Sequence, residues 1–164
     1  MKRNWMAFCL AAALMTAGTV YAKPAPSQLV PEKHGQCYVE DNLFVKDVNG
    51  AGGGQGVLHG DFAFRREQAL KTDAIKEIGW MTLKPGSYIG SHTHKDNEDA
   101  YLIISGKGIF TDGNGHAWVV CAGDMTIARP GQTHGLANLG KEDLVFLDII
   151  AKNDSADLSK MAKE

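Results

Sequence analysis

His92 and His94 stand two residues apart in "GSYIGSHTHKDNEDAYLIISG", and Glu98 and Asp99 follow within the same segment. Alternate side chains of an extended strand share a face, so the two imidazoles project side by side and a following carboxylate can close on the same point. His134, in "RPGQTHGLAN", brings a third imidazole from a separate stretch. Several neutral imidazoles with one carboxylate suit a divalent transition metal such as Mn, Fe, Ni, Co or Zn, whereas Ca and Mg prefer oxygen shells. The expected ligands are therefore His92, His94, His134 and one acid. Asp99 and Glu98 both remain open for that role, although strand alternation puts them on opposite faces and gives Asp99 the face of Tyr101 and Ile103.

Other polar residues carry weaker signals. Tyr101 offers a phenol beside the ligand strand as hydrogen-bond donor or general acid, against the ordinary alternative of packing in a sheet. Arg129, five residues before His134, has a planar fork that grips a carboxylate or phosphate, or else is a solvated loop charge. Glu77 is a general-base candidate at the mouth of the site, although its neighbour Lys76 also suits an exposed face. Asn138 is expected to order a turn through local backbone bonds rather than to bind metal. His59 and His116 read as surface residues.

Glycines frame both histidine segments. Gly86 precedes His92-x-His94 by five intervening residues, and Gly106 follows Asp99 after six; downstream, Gly123, Gly131, His134 and Asn138 keep a second regular spacing. In these two motifs the chain resembles the cupins over about residues 75 to 150. It departs from their pattern twice. The acid is either a shorter Asp99 at the expected interval from Gly106 or a Glu98 one residue out of place, and Arg129 stands where the second motif has proline, with Pro130 following. The resemblance implies a jelly-roll β-barrel (double-stranded β-helix) with a metal held inside one mouth. It also implies dimers that exchange N-terminal strands, which makes the arm from about Gln28 to Val48 a candidate cover for a neighbour's sheet edge.

The elements that must position these residues read as strands. "VLHGDFAF", "AIKEIGWMTL", "AYLIIS", "KGIFTD", "AWVVC", "DMTIA" and "DLVFLDII" are short runs rich in β-branched and aromatic residues, and "DGNG" at 112 to 115 is a hairpin signal. Patterning alone predicts an all-β sandwich or barrel. Helix is confined to a turn around Glu67 to Leu70 and a tail from Ser155 to Lys163. "VNGAGGGQG", residues 48 to 56, reads as a flexible loop or as a place where backbone must approach something closely; it lacks the context and lysine of a phosphate-binding loop.

The ends suggest a compartment. Lys2 and Arg3, an apolar stretch, then Val20 and Ala22 form the pattern of a signal peptide over residues 1–22, with a mature start near Lys23. Residues 23–56 are then a linker and arm, 57–152 the barrel and 153–164 a tail. A periplasmic or secreted location follows, with no membrane attachment after cleavage. Of 164 residues, 17 are basic and 19 acidic, and no basic run favours nucleic acid or an anionic membrane surface. A small molecule and a second copy of the chain are the expected partners. Cys37 and Cys121 form a possible disulfide in an oxidising compartment, or are two unrelated small apolar residues.

A four-ligand protein shell leaves positions on an octahedral ion for an outside oxygen ligand. Two function classes follow. One is a small metalloenzyme of isomerase, lyase or dioxygenase type acting on a sugar, sugar acid or small carboxylate. The other is a non-catalytic module that binds or senses a small molecule at the same site.

Overall fold

A computed structural model describes residues 38–152. The expected signal peptide, residues 23–37 of the linker and arm with Cys37 of the possible disulfide, and the expected tail helix lie outside the described residues. Among the described residues the chain forms β1 (Phe44–Asn49), β2 (Val57–Phe64), β3 (Ile75–Leu83), β4 (Tyr88–Thr93), β5 (Glu98–Ser105), β6 (Lys107–Asp112), β7 (Ala117–Cys121), β8 (Met125–Ala128), β9 (Thr133–Ala137) and β10 (Leu144–Ala151). All pair antiparallel. One sheet runs β1-β2-β3-β10-β5-β8 and the other β4-β9-β6-β7, the two-sheet arrangement of a jelly roll.

Strand period sets which residues meet between the sheets. Along β10, Leu144, Phe146, Asp148 and Ile150 are buried while the residues between them are half-open, as expected when successive side chains point to opposite faces. Phe62, Met81, Leu83, Ile103, Leu144 and Phe146 from the larger sheet pack with Ile89, Phe110, Val120 and Leu136 from the smaller one. Each such side chain, once removed from water, stabilises the fold by about 1.5–3 kcal/mol. This core fills one end of the inter-sheet space. Toward the other end the inward positions become polar: Glu77, Asp99, Asp148 and His134 are all buried.

The strand runs read from sequence all fall on strands. Two further strands lie in the histidine segments themselves, β4 and β9, and β1 is an addition: within the segment expected to be an arm, Phe44–Asn49 pairs with β2 of the same chain, Phe44 opposite Phe62. The helix expected at Glu67 to Leu70 is a single turn, in which Gln68 and Ala69 donate to the carbonyl of Arg65. Asn138 is fully buried, and its amide nitrogen donates to the carbonyls of Leu83 and Glu142 at 2.8 Å while its oxygen accepts from the Gly140 amide at 2.9 Å. That ties the β9–β10 turn to the end of β3.

Candidate metal centre

His92 ends the inward face of β4 and lies opposite His134 of β9 in the sheet register. Alternation along β4 carries His94, just past the strand, back to the same side. The pairing of β4 with β9 slips between Ile89 and His92, and such an irregularity re-aims the side chains beyond it. Asp99 arrives from β5 in the facing sheet.

The three Nε2 atoms form a triangle with edges of 3.1 Å (His92 to His94), 2.9 Å (His94 to His134) and 3.1 Å (His134 to His92). Oδ2 of Asp99 stands 3.3 Å from both His94 and His134, and the four donor atoms lie within 4.8 Å of one another. The triangle itself tests whether a metal fits. With metal–nitrogen bonds of about 2.1 Å, right angles at the ion separate neighbouring nitrogens by about 3.0 Å, and tetrahedral angles by about 3.4 Å. The observed edges are nearer the right-angle spacing than the tetrahedral one.

The tautomer of His92 agrees with that assignment. Nδ1 of His92 is 2.9 Å from the carbonyl of Gly90; an N–H there donates to the carbonyl and leaves the Nε2 lone pair facing the other ligands. Nδ1 of His94 lies 3.1 Å from the Asn97 amide nitrogen, which donates to it; an Nδ1–H on His94 requires that amide to be turned over. Nδ1 of His134 is buried with no hydrogen-bond partner among the described residues. That ring is held by packing: Tyr101 stacks on it at 5.1 Å and Phe110 meets its edge at 5.8 Å.

Burial shapes the charges. It raises the Asp99 carboxyl, but the hydrogen bonds from His134, His94 and Asp148 outweigh it and hold the group well below the usual carboxylate range. Burial first, then the neighbouring Asp99 charge, pushes Asp148 well above that range. Asp148 is thus the protonated partner of an ionised Asp99. Burial also lowers His92 below an ordinary imidazole, against the opposing bond to Gly90. Three imidazoles and one carboxylate are the donor set a divalent cation takes. His92 is the partly exposed member of the four.

The other residues singled out from sequence fall in different places. Tyr101 is buried and its hydroxyl donates to Oδ2 of Asp99 at 3.1 Å. Glu98 does not join the cluster: its side chain is 46% exposed, and it pairs loosely with Arg129 at 3.9 Å. Arg129, itself 59% exposed, therefore sits on the outer rim and not against the metal ligands. Glu77, expected at the mouth or on an exposed face, is buried on the inward side of β3, with Arg65 at 3.5 Å and Arg66 at 3.9 Å. It lies across β10 from Asp99, since both are opposite Ile150. His59 and His116 pair with Asp47 and Asp112 at the surface. Sequence reasoning missed Asp148. Its signal was an acid on the buried face of the otherwise apolar run "LVFLDIIA".

A family model described as a cupin domain (Cupin_2) matches residues 79–150. Over 70 residues the chain is 40% identical to an oxalate-binding protein of Thermotoga maritima, a match covering 43% of this chain and 57% of that protein. Over 83 residues it is 32% identical to an oxalate decarboxylase of Bacillus subtilis, covering 48% of this chain and 22% of that protein. The chain thus spans less than two thirds of either relative. Among solved structures it resembles a predicted oxalate decarboxylase from Thermotoga maritima with a TM-score of 0.65 at 27% identity, covering 72% of this chain and all of that one. A protein with a double-stranded β-helix domain from Klebsiella pneumoniae aligns with a TM-score of 0.54 at 28% identity, covering 74% of this chain and 93% of that one.

Proposed function

With the cupin domain of residues 79–150 as premise, we propose that this protein holds a divalent transition metal on His92, His94, Asp99 and His134 and binds there a small dicarboxylate of the oxalate type. The triangle of Nε2 atoms at 2.9 to 3.1 Å, closed by Asp99, carries the reading. The metal, when bound, supplies Lewis-acid polarisation of paired oxygens, with Mn, Fe, Ni and Zn as candidates.

The protein's own residues do the rest. Gly90 and Asn97 orient two imidazoles, and Tyr101 and Asp148 orient Asp99, as outer partners of metal ligands do. His94, His134 and Asp99 are shielded from water, while His92 is partly exposed. The two oxalate-related relatives favour a ligand with paired carboxylate oxygens. Calorimetry of oxalate into Mn2+-loaded and metal-free protein tests the reading. Oxalate heat in the loaded form alone supports it, whereas equal binding without metal removes it.

Catalysis is a second reading, favoured by the stretch shared with an oxalate decarboxylase. A lyase would release carbon dioxide and formate from labelled oxalate. Binding without either product makes the protein a carrier or sensor. We also propose that the chain is exported after cleavage before Lys23 and that two copies associate. N-terminal sequencing of exported protein and light scattering of the mature chain check these points.

A further inference from the structure

The glycine-rich segment between β1 and β2 is laid against the metal site. Gln55 donates to the carbonyl of Tyr88 at 3.1 Å and Tyr88 donates back to Gln55 at 2.9 Å, which seats residues 52–54 along β4. A Cβ on Gly52 would fall 2.7 Å from the carbonyl oxygen of Gly90 and 3.0 Å from Nδ1 of His92. One on Gly54 would strike the Tyr88 carbonyl and stand 2.6 Å from the Gly90 nitrogen; one on Gly90 would strike the Gly52 carbonyl. The first two atoms that a Cβ on Gly52 would meet are the acceptor and donor that fix the His92 tautomer.

We propose that Gly52, packed with Gly54 on Gly90, is a positioning residue for His92: the bare backbone of the β1–β2 connection presses the Gly90 carbonyl and the imidazole Nδ1–H together and so aims Nε2 into the ligand cluster. The proposal rests on the metal-site reading and extends the site to a segment that carries no ligand. It needs glycine because no side chain fits between the two backbones.

Gly53 provides the control. It too is left-handed, at φ +77°, against +60° at Gly52, but a Cβ there meets nothing within 4 Å. Alanine therefore strains the backbone at either position, and only at Gly52 does it press on the imidazole. Mn2+ affinity measured by calorimetry is expected to fall by about tenfold or more in Gly52→Ala, as when an outer partner of a ligating imidazole is lost, and to stay near wild type in Gly53→Ala. Long-range 1H–15N spectra of the metal-free proteins should show His92 protonated at Nδ1 in wild type and Gly53→Ala, and a mixture of tautomers in Gly52→Ala. Equal affinities and identical His92 spectra in the two variants overturn the proposal. A wild-type protein that binds no Mn2+ overturns the metal reading instead, and the spectra still decide the positioning role.

Should Gly52→Ala fail to fold, the wild-type protein answers. Coupling is reciprocal, so a loop that favours the metal-binding pose of His92 must itself be steadied by metal. Amide exchange across residues 50–56 should slow several-fold on adding Mn2+, while the turn at 139–142, beyond the end of β9 that lies away from His134, is unchanged. No slowing at 50–56 overturns the proposal.

Discussion

One oxygen of Asp99 faces two imidazole nitrogens and a phenol at 3.1 to 3.3 Å, while the side chain of its neighbour Glu98 stands 46% exposed beside Arg129. Replacing each acid by alanine should therefore have opposite results. Asp99→Ala is expected to abolish measurable metal binding and Glu98→Ala to leave it within about twofold, as metal analysis after dialysis would show, since only the first removes an anion from the ligand set. Tyr101→Phe removes one bond to that anion, and an affinity loss of about 10- to 100-fold is expected by titration.

The titrating groups give signs that can be checked without metal. His92 is depressed below 6.5, so the unfolded chain takes up its proton first, and this contribution to stability is lost as pH falls through that value. Asp148 is raised well above 3.8, so its contribution is present below that value and is lost as pH rises through its folded value. Asp148→Asn keeps a donor for Asp99 and never ionises. Metal-free Asp148→Asn is thus expected to be more stable than wild type at neutral pH, with the difference shrinking as pH falls and vanishing only below 3.8, as read from urea denaturation at several pH values. A wild-type advantage at neutral pH would contradict the buried, protonated Asp148.

At the scale of elements, the site depends on β4, β5 and β9 keeping register, and Asn138 is the tie that holds one end. Its three hydrogen bonds satisfy the backbone of Leu83, Gly140 and Glu142, the first fully buried and the other two partly so. Stranding a buried polar group costs about 1–3 kcal/mol, so Asn138→Ala should destabilise the protein by roughly 3 kcal/mol or more. Chemical denaturation measures this.

Much at this scale was legible because it rests on local spacing. The His92-x-His94 pair works through strand alternation, the same alternation that separates Asp99 from Glu98, and runs such as "DLVFLDII" announce strands by composition. What sequence left open depends on pairing between distant segments. Asp148 reaches Asp99 only because β10 lies between β3 and β5, and Glu77 looks exposed beside Lys76 until β3 is placed inside the sheet. The glycine-rich stretch reads first as a flexible loop from its composition; the Gln55–Tyr88 bridge, which selects close approach instead, joins residues 33 positions apart.

For the molecule as a whole, the polar end of the inter-sheet space is a liability until a cation fills it. Three imidazoles, Asp99, Asp148 and Glu77 occupy inward positions where a purely structural barrel would place apolar side chains, and Oδ1 of Asp99, Oδ1 of Asp148, Oε2 of Glu77 and Nδ1 of His134 are buried without hydrogen-bond partners among the described residues. A cation at the Nε2 triangle offsets that burden by converting ligand desolvation into coordination. Because an ion held only by the folded form stabilises it by RT ln(1 + [L]/Kd), free metal at a hundred times Kd adds about 2.7 kcal/mol. For a domain of this size that corresponds to a rise in Tm of roughly 10 °C. Calorimetric scans with Mn2+ and with excess chelator measure the difference. In His134→Ala, which opens the triangle, the two scans should coincide; a shift of wild-type size in that variant would mean that the stabilising metal sits elsewhere.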